Sequence, residues 1–246
     1  MNKKNRELMI GVIIIAGLWY LLSFTIGNRL IPFPHDVLSV MLQLIGKGNL
    51  LLHALFSLLR LSAALLAAVL PALPLGIITG ISPGFDRFFS PVLYLLYPLP
   101  KIAFLPIFMV LFGLGDLSKI LLLWTVIILQ LLIAVRDGVR SIPTEYHRAA
   151  ETLGLNRMKR FWKLYMPSTL PSLFSALRIS VGIGMAVLFF AENYATSYGL
   201  GYFIMNSWVM INYPMMFAGI LVLAILAFLI LTFLDWLQKI ICPWES

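Results

Sequence analysis

Apolar runs long enough to cross a bilayer recur along this chain, with short polar stretches between them. A helix rising about 1.5 Å per residue needs about 20 mostly apolar residues to span the hydrocarbon. Leu8 to Ile26, Leu55 to Ile81, Ile120 to Val135 with its flanks, and Met215 to Leu237 reach that length. Two further runs are interrupted. Phe88 to Phe112 holds Pro91, Pro98, Pro100 and Pro106, with Lys101 in its middle. Proline removes backbone donors and kinks helices, which lipid tolerates only where protein or water satisfies the freed carbonyls. Leu170 to Ala191 carries Arg178 near its start and Gly182 and Gly184 inside, small residues that let a neighbouring helix approach closely. The pattern predicts an all-α polytopic membrane protein with six transmembrane helices, near 8–27, 55–80, 88–112, 118–136, 170–191 and 213–237.

Composition supports that reading: 61% of residues are hydrophobic and 11% charged, and the mean hydropathy is +0.97, which excludes a soluble domain. The formal net charge of +8 would suit nucleic acid, but its distribution follows topology instead. Lys and Arg in short loops mark the cytoplasmic side. Lys3, Lys4 and Arg6 precede the first run, Arg87 follows the second, seven basic residues lie between Arg136 and Lys163, and Lys239 follows the last. The opposite loops offer Arg29, Lys47 and Lys119. Both termini are therefore expected in the cytoplasm. Without a small-residue cleavage site after it, Leu8 to Ile26 reads as a retained span.

Reaction chemistry finds little footing. Cys242 is a single cysteine, and His35, His53 and His147 are scattered without ligand spacing, so neither a disulfide nor a metal centre is expected. Gly46-Lys47 lacks the upstream glycine of a phosphate-binding loop. No cofactor is expected on this chain, and ATP, if it drives the protein, must be bound by another subunit.

Several segments between the spans have a character of their own. After Pro32 and Pro34, Asp36 is placed to cap a short amphipathic helix through Val37, Leu38, Met41, Leu42 and Ile45. Pro143 suits a helix's first turn, Glu145 its positive end and Gly154 its stop, so Thr144 to Leu153 reads as a short helix outside the membrane. Ala149 and Ala150 would let a partner approach it. Basic residues at 157, 159, 160 and 163 then start a second helix that snorkels to headgroups before Pro167. Arg60 and Arg178 lie near span ends, where an arginine can reach headgroups, and both are expected to have a structural role; Trp208 is expected to anchor an outer interfacial segment from Met205 to Met216.

The register of the loop from Tyr146 to Pro167 resembles the EAA loop of ATP-binding-cassette importer permeases: Glu-Ala-Ala, three residues, Gly, nine residues, Ile, one residue, Leu-Pro. The same spacing here reads Arg148-Ala149-Ala150, Gly154, Leu164, Tyr165, Met166-Pro167, with Arg148 in place of the acid. Glu145 and Glu151 stand nearby, off the motif position. Tyr97 to Pro106 resembles the proline-rich third span of the nitrate, sulfonate and taurine branch, with Lys101 where an uncharged residue is expected. Phe112 to Ile120, His53 to Arg60, and Ala191-Glu192 with Gly199 to Tyr202 resemble further segments of that branch in the same order.

The resemblance implies a type I importer permease fold, with residues 53–240 as core, 137–169 as its cytoplasmic coupling loop, 1–52 as an added helix and external segment, and 241–246 as a tail. It implies a bacterial inner-membrane protein that catalyses no chemistry. The partners it implies are cytosolic ATPase subunits, an external solute-binding protein and a second permease copy, here a homodimer, in membrane lipid. Tyr146, Arg148, Ala149, Ala150, Leu153, Gly154 and Pro167 are the expected ATPase-docking residues. Tyr97, Lys101, Glu192, Asn193 and Tyr194 are expected to line the translocation path. A charged lysine at mid-helix costs about 3 kcal/mol on insertion scales, which suits a group that meets an anion and equally one that pairs with a carboxylate or snorkels near the cytoplasmic mouth. The expected solute is an oxyanion such as nitrate, sulfonate or taurine. An aromatic heterocycle such as a pyrimidine is the alternative, favoured by the tyrosines, and an ion-coupled secondary carrier using Glu192 and Lys101 is the alternative from another class.

Overall fold

The computed structural model describes residues 3–245. Met1, Asn2 and Ser246, and the side chains of Lys3 and Lys4 counted above as cytoplasmic markers, lie outside the described residues. Within them the chain is helical: α1 (Lys3–Ile26), α2 (Pro34–Gly46), α3 (Asn49–Ile81), α4 (Pro83–Leu96), a 3-10 turn (Lys101–Phe104), α5 (Leu105–Phe112), α6 (Asp116–Arg140), α7 (Thr144–Thr152), α8 (Arg157–Arg160), a π turn (Phe161–Tyr165), α9 (Met166–Ala191), α10 (Leu200–Val209), α11 (Tyr213–Ile241) and a closing 3-10 turn (Pro243–Glu245). Five stretches are long and apolar enough to cross a membrane unbroken, at 9–26, 49–81, 116–140, 157–191 and 213–241.

The expected third span, 88–112, is two helices meeting at 84°. Pro98 and Pro100 have no N–H with which to answer the carbonyls four residues earlier, so α4 ends and the chain turns before α5 begins. Lys101 accordingly stands at the break and not at mid-helix. The fifth span differs in the other direction. It was expected to begin near residue 170 behind a separate basic helix, yet helix runs from Arg157 through Pro167 to Ala191. The π turn at Phe161–Tyr165 widens the backbone just ahead of Pro167 and lets the helix continue past it.

Contacts divide the chain into two units, Met1–Ser57 with Thr196–Ile225 and Leu58–Ala195 with Leu226–Ser246. In the first, the Trp19 indole N–H and the Ser23 hydroxyl both donate to Pro32 O, at 3.0 and 3.1 Å, fastening the turn after α1 back onto that helix. Asp36 lies in the first turn of α2 behind the capping position, which Phe33 occupies without a side-chain bond, because Pro34 starts the helix. Val37 is buried while Leu38 and Leu42 are exposed. His53 Nδ1 sits 3.0 Å from the backbone N and O of Gly199, whose φ of 154° favours glycine, and its ring packs among Tyr198, Tyr202 and Phe203.

In the second unit, Leu61, Ile77, Leu122, Leu123, Ile127, Leu131 and Leu188 have no exposed surface. Glycine determines how closely α3 and α6 pack. A Cβ added at Gly76 would lie 2.7 Å from Val135 Cβ, and one at Gly80 would lie 2.5 Å from Val139 Cβ, so these two helices pack backbone to side chain along a seam. Gly184 admits Leu61, whose Cδ1 would be 2.9 Å from an added Cβ, as expected for a small residue in α9. Gly182, expected to serve the same purpose, faces open space.

Candidate functional site

The polar loop between α6 and α9 is built as a short helix with a firm stop. Pro143 lies at the position before α7, one residue outside the first turn expected for it, and Glu145 stands in that turn. The helix ends where Gly154 takes φ of +62°, with Gly154 N–H donating to Glu151 O at 2.9 Å and Leu155 N–H to Ala150 O at 3.0 Å, a pair of bonds that closes a helix on a left-handed residue. The chain then restarts at once: Asn156 accepts from Lys159 N–H at 2.9 Å and caps α8. Arg160 binds backward across the turn, to Leu155 O at 2.9 Å and to the Glu151 carboxylate at 3.1 Å. This holds α7 at a set angle to α8.

Residues 146, 149 and 153 fall on one face of α7 by helical spacing. Tyr146 is 60% exposed and Leu153 74%, and Ala149 between them is exposed, so an apolar strip bare of its own protein results. Ala150 turns inward at 4% exposure, Arg148 faces outward, and Pro167 lies within the continuous helix behind. Leu164 and Tyr165, the register positions ahead of Pro167, are buried, and the Tyr165 ring meets His147.

Tyr97 and Lys101 come together at the α4–α5 break. Lys101 Nζ donates to Tyr97 O at 2.5 Å and lies 5.4 Å from the centre of the Tyr97 ring. Tyr97 O would otherwise bond the next turn, so the lysine replaces a backbone donor that the break removed. Tyr97 and Gln130 line two cavities. The larger, about 770 Å³, also exposes Tyr94, Asp137, Ser141 and Ser172, and the smaller, about 410 Å³, also exposes Lys101.

Glu192, Asn193 and Tyr194 line neither cavity. Glu192 was expected to offer hydrogen bonds to a solute, but its side chain has no exposed surface and accepts from Arg60 Nη1 at 2.6 Å. Arg60, expected to have a structural role near a span's end, is 4% exposed, short of any headgroup, and also grips Asp116 through Nε and Nη2 at 2.8 and 2.7 Å. Lys119, counted among outer-loop residues, lies in the first turn of α6 at 1% exposure, its ammonium donating to Leu114, Gly115 and Ala195 carbonyls at 3.1 to 3.3 Å. These two cations, two carboxylates and their carbonyls join α3, α6 and the end of α9. No short-range signal reveals such a cluster, since its three parts, Arg60, residues 114–119 and residues 192–195, are far apart in sequence. Asn193 has a buried Oδ1 without a hydrogen bond, and Tyr194 is exposed. Arg178 ties α9 to α11 through Asp235 at 3.1 Å and Gln238 at 2.5 Å.

Residues 72–245 match the family described as the binding-protein-dependent transport system inner membrane component. The taurine transport system permease protein TauC of Escherichia coli (strain K12) is 35% identical over 226 residues, covering 90% of this chain and 82% of that protein. The nitrate import permease protein NrtB of Leptolyngbya laminosa is 28% identical over 208 residues, covering 81% and 74%. A chain of the MetNI methionine ABC transporter, solved in inward-facing conformations, aligns with a TM-score of 0.69 at 19% identity, covering 79% of this chain and 97% of that one, which shows a common fold.

Proposed function

The chain belongs to the binding-protein-dependent transport system inner membrane component family, and from that premise we propose how this permease subunit couples ATP to the movement of a small oxyanion. As a multi-pass membrane component it hydrolyses no ATP itself; a separate ATPase and a solute-binding protein complete the system. Helix α7 inserts into a cleft of the cytosolic ATPase, and nucleotide-driven closure moves it as a lever on α6 and α9, between which it is strung. The observation that carries this reading is the exposed strip of Tyr146, Ala149 and Leu153 on a helix closed at Gly154 and strapped by Arg160. Gly154 and Pro167 serve by shaping the backbone, Arg148 and Ala150 by flanking the strip.

Two copies of the chain form the path, with both termini in the cytoplasm, and 53–240 act as the transport core. Tyr97 and Lys101 face the path at the α4–α5 break, while Asn193 and Tyr194 stand toward its outer end. Glu192 belongs to the buried pair with Arg60 and supports the core. Nitrate, named for one relative above, is a small oxyanion, and taurine, named for the other, carries an anionic sulfonate, a group that a lysine at a membrane-spanning segment's break suits.

Co-purification from membranes in mild detergent tests the reading. The natural chain is expected to bring an ATPase subunit with it, and Ala149→Asp is expected to lose that subunit while the permease itself still elutes as a single, unaggregated species. An ATPase that never accompanies an intact natural chain would move the ion-coupled carrier ahead.

A further inference from the structure

We propose that a third cavity, on the apolar flank of the α4–α5 elbow, is a site for the acyl chain of a bilayer phospholipid. The inference goes beyond the importer reading and rests only on the chain's lying in a membrane.

The cavity measures about 370 Å³ and lies between α4, α5 and one flank of α6, with Leu75 of α3 also on its wall. Phe89, Leu96, Phe104, Phe108, Trp124 and Ile128 make its surface aromatic and aliphatic. The lining residues with polar side-chain atoms commit them within the protein. The Thr125 hydroxyl donates to Leu122 O at 2.7 Å, the Trp124 indole N–H to Ala67 O at 3.0 Å, and the Lys101 ammonium to Tyr97 O at 2.5 Å. A buried water needs about two to four polar partners, so water is a poor filling for this space.

Depth decides what else is at hand. Trp124 and Leu132 stand about 12 and 24 Å along α6 from Asp116, inside a hydrocarbon layer about 30 Å thick. The cavity is open at that depth: Val92, Leu96, Leu99 and Phe104 on its rim are 37–42% exposed. Lipid is as apolar as these walls, so no hydrophobic gain draws an occupant in. Contact does, because an unfilled space leaves the rings and methyl groups around it without partner atoms on one side. An acyl chain has no hydrogen-bonding group over most of its length, and it is the apolar species a bilayer supplies there.

The position around α6 separates this site from the polar cavities. Val126, Gln130, Ile133 and Asp137 line those, while Thr125, Ile128, Leu129 and Leu132 line this one. At about 100° per residue the two sets lie about a third of a turn apart. A second copy seated across the polar cavities therefore leaves the apolar flank to lipid.

The test places the purified permease, with whatever partners accompany it, in nanodiscs containing a phospholipid that bears a photoactivatable diazirine midway along one acyl chain. Labelled residues are mapped by mass spectrometry. Leu95 and Val110, 74% and 85% exposed, report bulk lipid, and the half-buried Trp124, Ile128 and Leu129 report the cavity. Both sets are expected to be labelled in the natural chain. Val92→Trp adds a ring at the rim and is expected to cut labelling of the cavity set by about fivefold or more, since a filled interior leaves no room for a chain, with Val110 unchanged. Gel filtration checks assembly, and Leu96→Trp carries the test if Val92→Trp does not assemble. Label on Leu95 and Val110 without label on the cavity set would overturn the site; side chains of a second copy filling the space would give that result. Cavity labelling that the rim variant leaves untouched would overturn it as well. Neither result bears on whether an ATPase accompanies the chain, so the importer reading stands or falls separately.

Discussion

Arg60 and Glu192, 132 residues apart in the chain, meet through a 2.6 Å contact between a guanidinium nitrogen and a carboxylate with no exposed surface. A buried pair of this kind adds little over a well-packed apolar pair, yet breaking it from one side strands a charge. Arg60→Ala is therefore expected to destabilise the fold by about 3–5 kcal/mol, and Arg60→Met with Glu192→Leu together by much less. Thermal unfolding in detergent checks both. Equal losses in the single and double variants would contradict an uncompensated charge as the cause.

Gly154 closes α7 at φ of +62°. A side chain there costs about 1–2 kcal/mol in left-handed backbone, so Gly154→Val is expected to loosen the end of α7 and reduce solute-stimulated ATP hydrolysis. Ala149→Asp reaches the same loss through the surface alone. Activity assays on the reconstituted importer, paired with melting curves, separate the two: Gly154→Val lowers both readings and Ala149→Asp only the activity.

Along the α3–α6 seam, Gly80→Ala drives a methyl group to 2.5 Å from Val139 Cβ. Overpacking of this kind costs about 1–3 kcal/mol. Gly182→Ala, with nothing within 4 Å of the added carbon, is expected to leave the melting temperature unchanged or to raise it slightly. Indistinguishable melting for the two variants would deny the seam.

Lys119 donates to carbonyls of Leu114, Gly115 and Ala195. Lys119→Met keeps the length of the side chain and abandons those acceptors, with an expected loss of about 1–3 kcal/mol. The Arg60 pair nearby should feel it too, and hydrogen exchange at the amides around 113–117 and 195 reports whether the turns loosen.

The spans were legible in the sequence because lipid dictates their length and composition, so a run such as Met215 to Leu237 has few other meanings. The loop around α7 was legible because turn chemistry is local: Gly154 must adopt a conformation other residues avoid, and it announces itself. What escaped notice depends on distant partners. Lys119 read as an outer-loop residue because a lysine near a span end commonly is, and Arg60 read as structural without its partners, since nothing beside Arg60 names Glu192 or Asp116 and nothing beside Lys119 names the Ala195 carbonyl. Gly76 and Gly80 were passed over because a glycine does not say which valine lies across from it. Proline misled in both directions. Pro98 and Pro100 together break a helix, whereas Pro167 is absorbed by a π turn that its own sequence neighbourhood does not reveal.

The glycine seam limits where this protein can change shape. With Val135 and Val139 lodged against Gly76 and Gly80, α3 and α6 cannot slide or roll past each other without unpacking, and they travel as one strut. Residues 97–100 are the complement of that stiffness: an 84° elbow whose backbone has already surrendered helical bonds, and whose angle a lysine side chain holds from outside. An elbow latched by a charge can be unlatched by whatever competes for that charge.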